Sequence, residues 1–256
     1  MTDQFILTPY YIDQPLPGLK KFAQSSWWVN DVPMPGGSPQ ERLVKIYKPL
    51  RDKVASVIKE GRRPVSIAGD CCTSLAVLSG LQHAGVNPVL LWLDAHGDFN
   101  TWDTTPSGFL GGMPLAMLTG RGEQTIVDGV GLQAFPEAQV FLCDGRDLDP
   151  GEEIALKGSS VNHLPSLPGS LEFLPPAGPI YVHFDTDFID PADAPAMNYP
   201  SSGGPPARVV SSFFNSLTKT GRIAAVSVSS WNPSLDVDGN TAEVVLDLIG
   251  TLLGKD

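Results

Sequence analysis

The stretch LWLDAHGDFN, residues 91–100, joins an apolar run to three potential metal ligands at alternate positions. The run that leads into it, PVLLWL, is apolar on both faces, which is typical of a strand buried in a parallel sheet. Alternate side chains of a strand point to one face, so a strand continued through the stretch would direct Asp94, His96 and Asp98 the same way. The carboxyl end of such a strand is where open α/β sheets bind ligands.

Outside this stretch, short apolar segments alternate with longer helical patterns. Strands are predicted within residues 5–11, 64–69, 88–94, 138–145, 178–187 and 223–231, and helices over about residues 40–59, 74–83, 151–157, 206–217 and 241–253. This alternation predicts an α/β fold with a mainly parallel sheet and helices on both of its faces. With 256 residues, 42% of them hydrophobic, the chain can bury a large core, and we favour one domain over residues 1–256 to two small ones.

Charge and hydropathy exclude several classes of partner. The chain has 28 acidic and 17 basic residues, a formal charge of -11 and no dense run of Lys or Arg. Such a charge repels nucleic acid and anionic membranes, so neither is expected as a partner. The start of the chain does not have the pattern of a signal peptide, and no run of about 18 apolar residues occurs later. We therefore expect a cytoplasmic protein that acts on a small-molecule substrate.

Polar groups follow four of the predicted strands, at the ends that meet at one edge of a parallel sheet. They are Asp70 and Cys71, then Asp94, His96 and Asp98, then Asp185 and Asp187, and finally Ser230, Trp231 and Asn232. Four of these residues are the aspartates of the two motifs, Asp94, Asp98, Asp185 and Asp187. Gathered in one cleft, their carboxylates would repel one another unless cations were bound. Oxygen-rich sites with an imidazole suit Mn²⁺, and carboxylates can bridge two ions that lower the pKa of water from about 15.7 towards about 7.

A single aspartate at a strand end is more often a helix cap or a turn residue than a metal ligand. A D-x-H-x-D motif together with a separate D-x-D motif, each after an apolar strand, is far less easily explained by capping. The pair of motifs therefore favours a metal site. His83 and His163 occur in helix-end and loop contexts and are predicted to be surface residues. The three cysteines, Cys71, Cys72 and Cys143, are expected to be free thiols.

The segments LDAHGDFN, SGFLGGMP and HFDTDFIDPADAPAMNYPSSGG resemble the arginase/agmatinase/formiminoglutamase (ureohydrolase) family, over residues 64–233 with looser similarity outside. The resemblance implies a three-layer α/β/α sandwich, two Mn²⁺ ions per chain, hydrolysis of guanidino or related C–N bonds, and a homo-oligomer, either a trimer or a hexamer. One ion would be held by Asp94, His96, Asp185 and Asp187, and the other by Asp94, Asp98, Asp185 and the residue at the histidine position of the family motif G-G-D-H.

That histidine position is occupied by Cys71, in the segment AGDCCTS. A thiolate is softer than imidazole and adds a negative charge, so it is a poorer match for Mn²⁺. The site is therefore also compatible with another divalent metal. Three outcomes are compatible with the sequence: Cys71 coordinates, it stays a thiol beside an under-coordinated ion, or only one ion binds well. The alternative is that Cys71 is a small packed residue, the role we expect for Cys72.

The resemblance also nominates substrate-binding and catalytic residues. Asn100 and Ser107 match residues that hold an α-carboxylate, and GRDLDPGEE resembles the loop that holds an α-amino group through Asp147, Asp149 and Glu152. Turn chemistry also explains this loop without a ligand. Asp98 and His183 are the catalytic candidates, His183 for a proton transfer. Gly111 stands where the family has a shuttle histidine, and Ser230 where it has a guanidinium-binding glutamate.

These departures leave two functions open. The first is a divergent ureohydrolase acting on arginine or on the less basic N-hydroxyarginine, which is the substrate of some relatives with a G-D-C motif. The second is a metal-binding or ligand-binding protein of this fold with impaired catalysis, because a hydroxyl cannot replace the charge of a carboxylate paired with guanidinium. A deacetylase is less favoured, because its usual paired histidines are not apparent in the sequence.

Overall fold

The computed structural model describes residues 2–33 and 36–255, and eight of the strands in this part of the chain form one parallel sheet. The strands are β1 (Asp3–Thr8), β2 (Tyr10–Tyr11), β3 (Gln14–Pro15), β4 (Trp28–Val29), β5 (Arg63–Ala68), β6 (Val89–His96), β7 (Val140–Asp147), β8 (Asn162–Leu164), β9 (Ile180–Asp185) and β10 (Ile223–Ser229). Their order across the sheet is β4-β1-β5-β10-β9-β6-β7-β8, and β2 and β3 pair separately as an antiparallel hairpin.

Helices lie on both faces of the sheet. They are α1 (Pro39–Lys59), α2 (Ser74–His83), α3 (Pro114–Leu118), α4 (Thr125–Val130), α5 (Pro150–Lys157), α6 (Ala207–Thr218) and α7 (Asn240–Leu253). Among the described helices, none combines the length and the apolar composition that a bilayer crossing requires.

The core is divided by the sheet, and β6 contributes to both halves. Trp92 packs on one face with α1 and α2, whereas the next residue, Leu93, packs on the other face with Phe214 of α6 and Leu248 of α7. Successive residues of one strand are therefore buried on opposite faces, which explains why the run PVLLWL has no polar alternation. The prediction of a three-layer sandwich with a mainly parallel sheet is confirmed.

Helix boundaries follow local chemistry. At the start of α1, the Ser38 side chain accepts a hydrogen bond from the Glu41 amide, the Glu41 carboxylate accepts one from the Ser38 amide, and Pro39 occupies the first helical position. At the start of α7, the carboxylate of Asp236 accepts hydrogen bonds from the amides of Thr241 and Ala242. Each cap satisfies amides that have no partner within the helix.

The predicted segments agree with the structure to within a few residues, with two corrections. The predicted strand over residues 5–11 is interrupted at Pro9, which separates β1 from β2. β6 ends at His96 rather than continuing to Asp98. The short elements β3, β4, β8, α3 and α4 have no counterpart among the predicted elements.

Four neighbouring strands determine where the polar residues meet. β5 pairs with β10, β10 with β9, and β9 with β6, and all of these pairs are parallel. Their carboxyl ends therefore lie side by side at one edge of the sheet.

Candidate metal centre and active site

The carboxyl edge of the sheet gathers the polar groups that follow these four strands. The residues are Asp70 and Cys71 after β5, Asp94 and His96 in β6, Asp185 and Asp187 at the end of β9, and Ser229 and Ser230 at the end of β10. A tight 3-10 turn over Cys71–Thr73 fixes the position of Cys71, and another over Thr186–Phe188 fixes that of Asp187.

Two groups of possible metal ligands form at this edge. The cysteine cluster consists of Cys71, Asp94, His183 and Asp185, and the His96 cluster consists of Asp94, His96 and Asp187. Within each cluster, one ligand atom of every residue lies within 4.8 Å of all the others. Asp94 belongs to both clusters, which is the arrangement that its predicted bridging role requires.

Asp98 belongs to neither of these clusters. Its backbone has φ 51°, in the left-handed region, so the alternation that directs Asp94 and His96 does not extend to it. The expectation of one strand through Asp98 is therefore wrong. Its carbonyl oxygen accepts hydrogen bonds from the amides of Leu115 and Ala116 at 2.9 and 3.1 Å, which ties Asp98 to the start of α3. Its carboxylate is 4% exposed, and the Oδ2 atom has no hydrogen-bond partner among the described residues.

Neighbouring groups hold in place the two aspartates that are predicted to bridge the ions. Asp94 accepts hydrogen bonds from Trp92 Nε1 at 3.0 Å and from the His96 amide at 2.7 Å. Asp185 Oδ1 accepts one from the Asp187 amide at 2.9 Å. Such outer contacts fix ligand orientation before any ion binds.

His96 lies between two carboxylates. Its Nδ1 atom is 3.2 Å from Asp187 Oδ2 and 3.5 Å from Asp94 Oδ1. Burial alone would lower the pKa of His96, but its hydrogen bonds to Asp187 and Asp94 raise that pKa to about 12. The carboxylates that attract a proton to this ring would also attract a divalent cation to the same place.

Cys71 lies against the second carboxylate of the centre. Its Sγ atom donates a hydrogen bond to Asp185 Oδ2 at 2.6 Å and is 3.1 Å from Ser229 Oγ. Burial, and then the charge of Asp185, raises the pKa of the Cys71 thiol well above its usual value. Cys72 is fully buried in the core, as expected for a packed residue.

The residues present fit a pair of divalent ions. Burial raises the pKa of both Asp98 and Asp185 well above the usual range, and neighbouring carboxylates raise it further. Crowding buried carboxylates in this way is costly unless cations offset their charge. The unpartnered Oδ2 of Asp98 and the mixture of carboxylate, imidazole and thiol donors point to metal ligation in the same way.

His183 belongs to the cysteine cluster but does not line the cavity. It is fully buried, its Nδ1 atom is 2.7 Å from Ser227 Oγ, and its ring stacks on Trp92 with the ring centres 3.7 Å apart. Burial lowers the pKa of His183 to about 3, so the ring is neutral. This position does not support the predicted proton transfer to a substrate. His83 and His163 are exposed, as predicted.

A cavity of about 330 Å³ opens in front of the centre. The predicted residues that line it are Cys71, His96, Asp98, Asn100, Ser107, Asp147, Asp149, Glu152, Asp185, Asp187 and Ser230. Among the described residues, no Lys or Arg lines this cavity, so it is strongly acidic. It is suited to cations and to substrates that carry amino or guanidinium groups.

The predicted substrate loop is held together by its own contacts. Asn100 Nδ2 donates to Asp149 Oδ2 at 2.9 Å. Glu152 accepts from the amides of Phe99 and Asp149 at 2.7 and 3.2 Å, and with Asp149 it forms the capping box of α5. Burial raises the pKa of Glu152 to about 7. Helix capping therefore accounts for these residues locally, while the fold also places them on the cavity wall.

Part of the cavity lining is an aromatic wall, formed by Tyr11, Phe109 and Tyr199. The Phe109 ring lies 6.3 Å from the Tyr11 ring and 5.3 Å from the Tyr199 ring, centre to centre. A Cβ atom added at Gly111 would lie 2.3 Å from Phe109 Cε1. The phenyl ring thus occupies the space that a side chain at position 111 would enter.

Ser230 faces the metal centre. Its hydroxyl donates a hydrogen bond to Asp185 Oδ2, and its backbone has φ 69°. The hydroxyl that stands at the family's glutamate position is therefore engaged by a candidate metal ligand.

Sequence reasoning missed Arg146, which joins the loops behind the centre. Its guanidinium pairs with Asp144 and donates to the carbonyl oxygens of Asp187, Phe188 and Ser201. The available signal was an arginine at the carboxyl end of the β7 strand, in GRDLD. The aromatic wall was also missed, because its members are far apart in the sequence and follow no motif.

Comparisons with known proteins agree with this geometry. Residues 21–254 match the family model described as "Arginase family". The arginase of Bacillus subtilis (strain 168) is 32% identical over 219 residues, which cover 80% of this chain and 74% of that protein. The arginase of Bacillus caldovelox is 30% identical over 237 residues, covering 86% and 79%. A crystal structure of arginase from Bacillus subtilis superimposes with a TM-score of 0.84 at 26% identity, covering 100% of this chain and 99% of that one.

The fold and its site define a hydrolase of the ureohydrolase type, a class that acts on C–N bonds other than peptide bonds. The chain belongs to the arginase family, and the match extends well beyond residues 64–233.

Proposed function

We propose that this protein hydrolyses a linear C–N bond in a small amino-acid-like substrate, such as N-hydroxyarginine or arginine. The observation that carries the proposal is the position of Asp94, which links two ligand clusters whose other members include Cys71, His96, Asp185 and Asp187 on the wall of the acidic cavity. The predicted substrate residues line the same cavity, so a small molecule held by them would lie against the centre.

We propose that two divalent ions, Mn²⁺ by resemblance, bind here. Asp94, His96, Asp185 and Asp187 are the proposed ligands of one ion, and the other ion has Cys71, Asp94, Asp98 and Asp185. When bound, such ions lower the pKa of water and stabilise negative charge that develops on the substrate. Asp98, predicted both as a ligand and as a catalytic residue, has an unpartnered Oδ2 atom that can accept a proton from the attacking water.

The proposed substrate contacts separate the two ends of the molecule. Asn100 and Ser107 would hold an α-carboxylate through neutral donors, and Asp147, Asp149 and Glu152 would hold an α-amino group. Because no cationic side chain of the described lining opposes these carboxylates, an ammonium group is well matched to this end of the cavity.

The distal end favours the less basic N-hydroxyarginine. Ser230 offers no charge to guanidinium, and its hydroxyl is bonded to Asp185. The aromatic wall supplies apolar faces instead of a carboxylate. A guanidine of lower basicity loses less when the carboxylate partner is missing.

A second candidate function is binding without efficient turnover. It is favoured by the Phe109 ring, which fills the space next to Gly111 where the family has its shuttle histidine. In that case the protein would bind metal and ligand but release product very slowly.

Metal analysis and a substrate panel test these proposals together. Purified protein loaded with Mn²⁺ is incubated with arginine, N-hydroxyarginine, agmatine and formiminoglutamate, and product release is measured. Asp98→Asn should abolish turnover, whereas Asp103→Asn, an exposed carboxylate in the following loop, should preserve it. Two bound ions without product from any substrate would favour the binding protein, and no bound metal would contradict both functions.

Three further predictions form part of the proposal: one domain over residues 1–256, a homo-oligomer and a cytoplasmic location. The single-domain prediction is supported by the sheet, which joins β1 from the first residues to β10 near the end of the chain. Light scattering would establish whether the assembly is a trimer or a hexamer.

A further inference from the structure

We propose that His183 is a metal ligand, and that the cysteine cluster is a four-coordinate site for a thiophilic divalent ion such as Zn²⁺ or Co²⁺. This inference rests on the proposed metal centre and specifies its second ion. His183 takes the place that the family resemblance gives to Asp98, which leaves Asp98 on the cavity side.

The spacing of the cluster is close to what a tetrahedral ion needs. Bonds of about 2.0–2.3 Å to nitrogen, oxygen and sulfur separate tetrahedral ligand atoms by about 3.3–3.8 Å. The four ligand atoms already lie within 4.8 Å of one another. Closing around an ion therefore requires movements on the order of 1 Å, which side-chain rotation can supply.

The ring of His183 is oriented for coordination. Its Nδ1 atom is 2.7 Å from Ser227 Oγ, and that hydroxyl is 2.7 Å from the Tyr181 hydroxyl. Stacking on Trp92 fixes the ring plane. Histidine ligands commonly form a hydrogen bond through the nitrogen that does not bind the metal. With Nδ1 engaged in this way, Nε2 is the atom directed at the cluster.

One hydroxyl shows that the donors point to a common place. Ser229 Oγ lies 3.1 Å from Cys71 Sγ, 3.3 Å from Asp185 Oδ2 and 3.4 Å from His183 Nε2. Two donors from β9 and one from the turn after β5 thus surround a single polar atom. A cation that bound at this point would satisfy all three at once, and the hydroxyl could rotate aside.

Burial and ligand chemistry distinguish the two ion sites. Each member of the cysteine cluster is at most 6% exposed, whereas the His96 side chain is 29% exposed. Cys71 and Asp185 reach the cavity wall, but the cysteine cluster is the more enclosed of the two sites. Thiolate and imidazole favour Zn²⁺ and Co²⁺ over Mn²⁺, and closed four-coordinate sites are typical of Zn²⁺. Asp98 lines the cavity, and its unpartnered Oδ2 atom is left available to the ion beside His96 or to water. The centre would therefore hold two unlike ions, of which the one beside His96 is the more exposed to the substrate.

The small number of histidines allows a direct test, because the chain has four. Protein with isotope-labelled histidine rings is titrated with NMR-active Cd²⁺, a thiophilic probe that can couple to a coordinated ring nitrogen. At the first equivalent, we expect coupling to one histidine ring and a cadmium shift that indicates a sulfur ligand. The coupling should persist in His96→Gln and disappear in His183→Gln.

Controls separate this inference from the proposed function. His163→Gln, which changes an exposed histidine outside both clusters, should leave the coupling intact. If Cd²⁺ binds with a sulfur ligand but couples to no ring, or if the coupling disappears in His96→Gln, His183 is not the ligand and the inference is overturned while the metal centre stands. If the protein binds neither Cd²⁺ nor Mn²⁺, the proposed function fails as well. The His96→Gln and unsubstituted proteins decide the question even if His183→Gln does not fold.

Discussion

Cys71 Sγ lies 2.6 Å from Asp185 Oδ2, so the sulfur is in direct contact with a carboxylate proposed to bridge two metal ions. The thiol donates to this carboxylate, and the Ser230 hydroxyl donates to the same oxygen. Two departures from the family pattern therefore meet at one atom. Changes at Cys71 and Ser230 should consequently affect the metal and the substrate in different ways.

Cys71→His should raise the affinity for Mn²⁺ roughly tenfold, which corresponds to about 1.4 kcal/mol. Imidazole is a neutral and harder donor than thiolate, so the substitution removes one negative charge and improves the match to Mn²⁺. Calorimetric titration of metal-free protein measures the effect. Cys143→Ser, in β7 and outside both clusters, is the matched control and should leave the affinity unchanged. Equal Mn²⁺ affinities for Cys71→His and the unsubstituted protein would show that the residue is not a ligand.

Ser230→Glu should raise kcat/KM for arginine about 10- to 100-fold, because a charge-assisted contact to guanidinium is worth about 1.5–3 kcal/mol. Ser230→Gln has nearly the same size without the charge and should give little gain. Steady-state kinetics with arginine and N-hydroxyarginine measure the shift in preference. A similar gain from the glutamine variant would assign the effect to shape rather than charge.

A histidine introduced at position 111 should need room made at Phe109. Gly111→His alone meets the phenyl ring and should displace it into the cavity, which raises KM. Phe109→Ala combined with Gly111→His should instead raise kcat about tenfold or more, with a new ionisation near the usual histidine pKa of about 6.5. The pH profile of kcat measures this, with Phe109→Ala alone as the control. A gain already complete in that control would exclude a proton shuttle.

Glu152 should make the metal-free protein less stable as pH rises. Burial raises its folded pKa to about 7 from 4.5, so the protonated form stabilises the fold. That contribution is fully present below pH 4.5 and is lost as the pH rises to about 7, by up to about 3 kcal/mol. Glu152→Gln does not titrate, so the stability of the unsubstituted protein relative to this variant should fall between about pH 5 and about pH 8. Urea unfolding of both proteins measures it, and a constant difference would refute the raised pKa.

Arg146→Met should lower the free energy of unfolding by about 3–5 kcal/mol, because it leaves Asp144 as a buried carboxylate without its partner. It should also weaken metal binding, since Arg146 holds the carbonyl oxygen of Asp187. Arg222→Met is the control: that half-buried arginine donates to the carbonyl oxygens of Gly178 and Ala177 but pairs with no buried carboxylate among the described residues, and its loss should cost less than about 1 kcal/mol. Equal losses for the two variants would contradict a special role for Arg146.

The sequence by itself determined the layers of the fold and most of the candidate ligands. Apolar runs without alternation required strands buried on both faces, and the D-x-H-x-D and D-x-D motifs at their ends predicted a metal centre. These inferences depend on local periodicity and on the rule that parallel strands end at a common edge. For the same reason the pattern failed at Asp98, where a left-handed residue ends the alternation.

Only the tertiary structure decided which groups face the cavity and which lie behind it. His183 and Asp185 are two residues apart on one strand, yet Asp185 lines the cavity, whereas His183 is enclosed by Trp92, Ser227 and Ser229. The aromatic wall likewise joins loops far apart in the chain. Such positions depend on packing between distant segments of the chain. The periodicity of a single strand shows which face a side chain is on, but it does not show how deeply other segments bury that side chain.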